Sequence, residues 1–301
     1  MTKKHLVVTH NGKFHADDVF GVATLFMLLG EENCEVIRTR DKSLIERGDY
    51  VLDVGEICDP ENNRFDHHQQ GGAGERENGI PYASFGLIWK KYGIQLAGTP
   101  DTAERIDRSF VQPIDAGDNG MDITTPLIEG IVPCTITAVI DLHRPTWKED
   151  DDWDRRFFEA VKWAEKVLER QIKIEKDFSE GANTVRSVYE KTKDKRLIVF
   201  NENQTFGREL ITEILMSYRE PLFAVLYRID VGEWQVITIG KSKGSFDMRK
   251  PLPTAWGAKH DEELVAVSGV ADAAFCHRRL FMCTARSKEG ALKLAELALD
   301  A

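Results

Sequence analysis

Apolar runs of strand length alternate with helical periodicities through the first part of the chain. "HLVVTH" (5–10) is a short apolar run of strand type. "DDVFGVATLFMLLG" (17–30) follows as a helix, with Asp17 or Asp18 at its start and Gly30 just past its end. "CEVIRTR" (34–40) alternates as a strand does, and "YVLDVG" (50–55) is apolar enough for burial on both faces. "SFGLIWKKYG" (84–93) opens on a cap residue and stops at Gly93, which reads as a further helix. This order predicts an α/β fold: a mainly parallel open sheet with helices on both faces.

The stretch 101–120 begins helical, is interrupted at Pro113 and ends in the turn-rich "DAGDNG". From Asp151 to about Lys193 the chain is strongly charged, with Trp153, Phe157, Val161, Ala164 and Leu168 at helical spacing. That pattern predicts a long helix joining two lobes. New strand signals follow at "RLIVF" (196–200), "LFAVLY" (222–227), "WQVITI" (234–239) and "FCHRRLFM" (275–282), then a last helix at "SKEGALKLAELAL" (287–299). The expected division is 1–190 for the larger domain and 191–301 for a smaller α+β lobe.

A length of 301 residues suits two domains. No stretch approaches the ~20 apolar residues of a membrane span. "VFGVATLFMLLG" is too short and follows polar His15, Asp17 and Asp18, so it does not read as a signal peptide. A cytosolic protein without a membrane partner is expected; a homo-oligomer is compatible with the sequence. Net charge is −10, which argues against a broad surface for duplex nucleic acid and leaves room for a local groove holding one strand end. Cys34, Cys58, Cys134, Cys276 and Cys283 are scattered without a CxxC pair, as expected for reduced, structural thiols.

Chemistry-bearing residues gather where the apolar runs end. "LVVTH" ends in His10, "YVLD" in Asp53, "RFDHH" in Asp66, His67 and His68, and "QPID" in Asp115. In open α/β sheets ligands bind outside the carboxyl ends of the strands. The first loop adds His15 and Asp17, and Gly12 permits the turn that brings them back. Taken singly, these residues have ordinary uses as helix caps, core histidines and Asx-turns. Taken together, nitrogen and oxygen ligands in this mixture suit manganese or a similar divalent ion better than a thiolate-rich zinc site. Six such side chains exceed one tetrahedral site and fit two ions about 3.5–4 Å apart with a bridging carboxylate. The reaction class this implies is hydrolysis of a phosphoester or phosphoanhydride.

With "DHH" preceded by a His/Asp-rich first motif, the chain resembles the DHH phosphoesterase superfamily. Within it, "THNGKFHADDV" (9–19), "VLDVGEICDPENNRFDHHQ" (51–69) and "DAGDNG" (115–120) are similar to the melanocyte-proliferating-gene (MYG) exonuclease family. The likeness continues through "PTW" (145–147), "PLPTAWGA" (251–258), "VSGV" (267–270), "FCH" (275–277) and "SKEGALKLAE" (287–296). The resemblance implies a metal-holding N-terminal domain, a smaller lobe that closes over the substrate, manganese-type dependence and 3′→5′ removal of nucleotides from RNA. It implies His10, His15, Asp17, Asp53, His67 and Asp115 as metal ligands, with Asp53 the bridge. Asp66 would orient His67, and His68 would face the scissile phosphate. The chain departs from the family in having Cys283, Thr284 and Ala285 after Phe281, where relatives often carry glycines, and Arg144 where relatives tend to have Asn.

Three functional readings compete. The first is a metal-dependent exonuclease acting at the 3′ end of RNA or a short oligonucleotide. The second keeps the centre but cleaves a small phosphate compound, such as pyrophosphate or a dinucleotide, which an acidic surface favours. The third is a metal-bearing regulatory protein without turnover. In the C-terminal lobe, Arg249 of "FDMRKPLP" and His277 of "FCHRR" are the candidates for phosphate capture.

Overall fold

The computed structural model describes residues 3–150, 152–204, 206–242 and 247–301. Asp151, where the sequence pattern begins the long helix, and Phe246 of "FDMRKPLP" lie outside the described residues. The chain forms two compact units, Met1–Asp177 and Phe178–Ala301.

The first unit runs β1 (His5–Thr9), α1 (Ala16–Leu29), β2 (Cys34–Arg38), α2 (Lys42–Arg47), β3 (Tyr50–Leu52), β4 (Cys58–Asp59), β5 (Arg64–Phe65), α3 (Ser84–Ala97), α4 (Pro100–Ile106), α5 (Gln112–Asp118) and α6 (Ile136–Asp141), then enters α7 (Trp153–Lys191). The sheet order is β2-β1-β3-β5-β4. β1 pairs in parallel with β2 and β3, β3 in parallel with β5, and only the edge pair β4–β5 is antiparallel. Successive residues of a strand face opposite sides. Val7 and Leu52 therefore join the main core under α1, α3 and the first half of α7, while Val8 and Val51 pack on Ile45 of α2. The expected α/β sheet with helices on both faces is what the chain forms, thickly covered on one side and thinly on the other.

Three expectations about elements are corrected. Gly93 does not end its helix: α3 continues to Ala97, and Gly98, at φ 86°, supplies the left-handed cap. Pro113 does not break the helical pattern. A π-helical turn, Asp107–Val111, precedes α5, and Pro113 sits in the first turn of α5, where its missing N–H costs nothing. Asp115 consequently lies on a helix rather than at a strand end.

The second unit holds the end of α7, β6 (Leu197–Val199), α8 (Arg208–Met216), β7 (Phe223–Arg228), β8 (Glu233–Thr238), α9 (Asp261–Ser268), β9 (Ala273–Cys276), β10 (Met282–Ala285) and α10 (Lys288–Asp300). The expected continuous strand at 275–282 is instead the two strands β9 and β10, paired antiparallel across a turn. Its sheet order is β6-β7-β8-β10-β9, antiparallel except for β6–β7. Phe223, Val225 and Val236 pack with α10, and Ala224, Leu226 and Ile237 pack with α8 and the end of α7. α7 changes core along its length: Phe157 to Ile172 belong to the first unit, Ala182 to Tyr189 to the second. The division between the units accordingly falls inside the helix, ahead of residue 190. Met282–Ala285 are all buried, so Cys283, Thr284 and Ala285 fill inward positions of β10.

Candidate metal centre

Three parallel strands put the site in place. β1, β3 and β5 are neighbours pointing the same way, and each is followed by a polar residue: His10 after β1, Asp53 after β3, Asp66 and His67 after β5. The turn at Asp53 is tight. Its φ is 55°, a left-handed conformation that costs a non-glycine residue roughly 1–2 kcal/mol, and strain of this kind collects at functional sites. His15 immediately precedes α1, whose first turn carries Asp17 and Asp18. The loop between β1 and α1 is anchored by buried Phe14 and by Arg38, which donates to the Gly12 carbonyl at 2.7 Å and pairs with Asp154. Arg144 donates to the Phe14 carbonyl at 2.6 Å and so holds the same loop.

Imidazoles and carboxylates then converge. His10 Nε2 lies 3.2 Å from both Asp18 Oδ2 and Asp53 Oδ2, and His15 Nε2 lies 3.2 Å from Asp53 Oδ2. His15 Nδ1 is 3.0 Å from Asp118 Oδ1, and His67 Nε2 is 3.0 Å from Asp118 Oδ2 and 3.5 Å from Asp53 Oδ1. Despite these distances, His10 Nε2, His15 Nδ1, His67 Nε2, Asp18 Oδ2 and both Asp53 oxygens are buried without a hydrogen-bond partner. When the rings carry no proton at these nitrogens, the crowded atoms are lone pairs aimed at shared space. Burial of unpaired polar atoms is costly, and a cation removes that cost. The atoms form three overlapping groups, each within 4.8 Å, that could hold a metal ion: His10, His15, Asp18 and Asp53; Asp53, His67 and His68; and Asp17, His67 and Asp118.

Charge follows from this packing. Burial alone lowers an imidazole's pKa, but the carboxylates outweigh it here. Asp18 and Asp53 raise His10 to about 9, Asp118 with Asp18 and Asp53 raises His15 to about 10, and Asp118 with Asp53 raises His67 to about 11. Burial pushes the other way on Asp53, yet His10 and His67 hold its carboxyl well below the usual range.

Asp66 acts behind the cluster. Its carboxylate accepts from the backbone N–H of Glu56, His67 and His68 and faces His68 Nδ1 at 2.7 Å. That bond raises the His68 pKa and leaves Nε2 open on a ring that is 56% exposed. A pocket of about 640 Å³ opens here, lined by His10, His15, Asp53 and His68, with Lys13, Arg40 and Lys42 also on its wall.

The expected residues do not all meet. His10, His15, Asp17, Asp53 and His67 come together. Asp115 does not join them: its Oδ2 pairs with Arg76 at 2.8 Å, and its Oδ1 accepts the Gly86 N–H at 3.1 Å. A Cβ at Gly86 would stand 1.8 Å from Asp115 Oδ2, so only glycine permits this approach. The acid that α5 sends to the cluster is Asp118, one turn further on. Asp18 also enters it, whereas Asp17 divides itself, accepting the Ser84 and Phe85 N–H groups at the start of α3. The sequence signal for both missed acids was helical phase: Asp18 lies three residues beyond His15 and Asp118 three beyond Asp115. In the second unit, Arg249 donates to the carbonyls of Met216 at 2.8 Å and Pro221 at 3.1 Å, and His277 Nδ1 accepts the Arg279 N–H at 3.1 Å.

Fold and site together define an α/β protein with a buried imidazole–carboxylate centre that could hold a metal ion. A family model described as "Uncharacterised protein family (UPF0160)", the MYG1 exonuclease model, matches residues 6–299, and the chain belongs to this family. The MYG1 protein of Dictyostelium discoideum is 30% identical over 321 residues, covering 96% of this chain and 94% of its own length. The human MYG1 exonuclease is 29% identical, covering 97% and 85%, and the Saccharomyces cerevisiae MYG1 protein is 26% identical, covering 97% and 95%. The resemblance read from the motifs thus extends over nearly the whole chain. No solved structure matches it. Among the described residues, no helix is long and apolar enough to cross a membrane.

Proposed function

We propose that this protein is a metal-dependent phosphodiester hydrolase of the DHH type that removes nucleotides 3′→5′ from RNA or short oligonucleotides. The observation that carries the reading is the set of buried histidine and aspartate atoms left without hydrogen-bond partners around Asp53. That relatives in human and rat are named MYG1 exonuclease supports the nuclease part.

His10, His15, Asp17, Asp18, Asp53, His67 and Asp118 would hold two divalent ions, manganese first among them, with Asp53 and His67 shared between groups. Bound there, such ions neutralise phosphate charge and lower the pKa of a water. Asp66 fixes the "DHH" turn through three backbone N–H groups, which keeps His67 and His68 in register. His68, with Nδ1 held by Asp66, presents Nε2 to the pocket, where it donates to a phosphate oxygen and passes a proton to the departing ribose oxygen. Lys13 and Lys42, whose ammonium groups have no ion pair among the described residues, offer positive charge to the phosphates. Arg249 and His277 remain the lobe's candidates for phosphate contact.

Purified protein with manganese, offered labelled RNA, DNA, a dinucleotide and pyrophosphate in parallel, tests the reading. The expected outcome is RNA shortened from its 3′ end with release of nucleoside monophosphates. Pyrophosphate cleaved much faster than any oligonucleotide would replace the exonuclease by a small-substrate hydrolase, and no turnover of any of the four would leave the regulatory reading.

A further inference from the structure

The second unit carries a pocket of about 480 Å³ that the metal centre does not use. Its floor is the face of the sheet that bears Leu226 and Met282, both apolar and buried. Beside them, on β8, stands Gln235. It is 4% exposed, it lines the pocket, and its side-chain amide has no hydrogen-bond partner among the described residues. Its amide carries a donor and an acceptor, and both are available to a ligand in the pocket. Directly across from it on β10, Thr284 has a buried hydroxyl that is also unpartnered. Neither group serves the fold by the bonds it makes.

The wall of the pocket is aromatic and cationic. Phe281 lies under Arg208, whose guanidinium carbon is 5.0 Å from the ring centroid, and Phe206 also lines the pocket. Flat π-systems stack on such surfaces. The charged groups of the pocket largely cancel, because Arg228 pairs with Asp230 and Glu209 lies beside Arg208. A phosphate finds no net positive site here. A flat, uncharged ring with a mixed donor–acceptor edge fits both the aromatic wall and the Gln235 amide.

We infer that this pocket binds a nucleobase, stacked on Phe281 and Arg208 and read along one edge by Gln235. Glutamine pairs in this way with adenine through one donor and one acceptor, which makes adenosine the first probe. The choice of a nucleobase among flat polar rings rests on the nuclease reading; the pocket, its aromatic wall and its unmatched amide do not.

The test is calorimetric titration of the full-length protein with adenosine, guanosine, cytidine and uridine, in EDTA and in an Asp53→Ala background. Nucleosides lack phosphate and the buffer lacks metal, so failure of the metal centre leaves this result unaffected. At least one nucleoside, adenosine first, is expected to bind saturably, with free ribose failing to compete. Gln235→Leu should weaken that binding by about tenfold or more. Phe281→Leu, which keeps bulk and loses the aromatic face, should weaken it as well, each variant first shown to melt like the parent. If no nucleoside binds at low-millimolar concentration, if ribose competes, or if both variants bind as the parent does, the inference is overturned. A nuclease that passes the RNA assay and fails this titration keeps its proposed function without a base site here.

Discussion

Asp53 combines a left-handed backbone, complete burial of its side chain and contacts to four histidines. Asparagine tolerates φ near +55° better than alanine does. Asp53→Asn should keep the backbone but lose bound manganese, activity and, in EDTA at neutral pH, the stability its carboxylate gives His10 and His67, whereas Asp53→Ala should lose these and about 1 kcal/mol more. Metal content by plasma mass spectrometry, beside thermal melts, separates the two effects; an Asn variant that keeps two ions at parental affinity would remove Asp53 from its shared position. His68 makes the opposite case. Its ring is half-exposed, with Nδ1 2.7 Å from Asp66 and 3.5 Å from Asp53. His68→Ala should retain the metal and lose roughly 10²–10⁴-fold in turnover on RNA. Loss of metal on that substitution would place His68 among the ligands instead.

α5 offers two acids one turn apart with different work. Asp115 is enclosed by Arg76 and the Gly86 backbone, and Arg76 also bridges to Asp107 in the π-helical turn. Asp118 faces His15 and His67. Arg76→Met leaves a buried carboxylate unpaired and should cost about 3 kcal/mol. Gly86→Ala drives a methyl group into Asp115 and should cost about 1–3 kcal/mol. Both variants, where folded, should still bind manganese. Asp118→Asn should lose metal outright and, in EDTA at neutral pH, also the stability its carboxylate lends to His15 and His67. The same metal loss from Arg76→Met as from Asp118→Asn would mean that α5 acts as one unit.

Protons and metal ions compete for the same atoms, and this sets the pH response of the first unit. His10, His15 and His67 have folded pKa values of about 9, 10 and 11, above the unfolded value near 6.5. A raised pKa contributes stability that is complete below the unfolded value and is lost as pH climbs through the folded one. In EDTA the melting temperature should accordingly fall from neutral pH into the alkaline range. Metal binding needs the imidazoles deprotonated, so manganese affinity should strengthen over the same direction of pH. The stabilisation by saturating manganese should grow as pH rises from about 6 to about 8. Calorimetry in buffers of different ionisation enthalpy should show protons released on binding. A manganese effect that is flat or declining with pH would place the metal on other side chains.

Local signals carried far in this chain. Apolar runs with a polar residue at each end located β1 and β3, and alternation with helices made a mainly parallel sheet legible; that β5 joins it beside β3 was not. His10, Asp53 and His67 were legible because a strand end is a position that any three-residue stretch announces. The fold of the second unit was legible in outline, except that a single apolar run at 275–282 hid the turn between β9 and β10. What the chain's neighbours in sequence could not decide was rotation. Whether Asp17 or Asp18, and Asp115 or Asp118, turns toward His15 and His67 depends on helical phase, and a step of one residue rotates a side chain by about 100°. Pro113 reads as a breaker from its own chemistry, yet it opens α5 because the π-helical turn before it needs no N–H at that point. Asp115 is drawn away by Arg76, a residue far from it along the chain, and Gly86 alone leaves room for the approach. The kinds of atom in the centre were set by composition at the strand ends; which carboxylate reaches it was set by packing between helices distant in sequence.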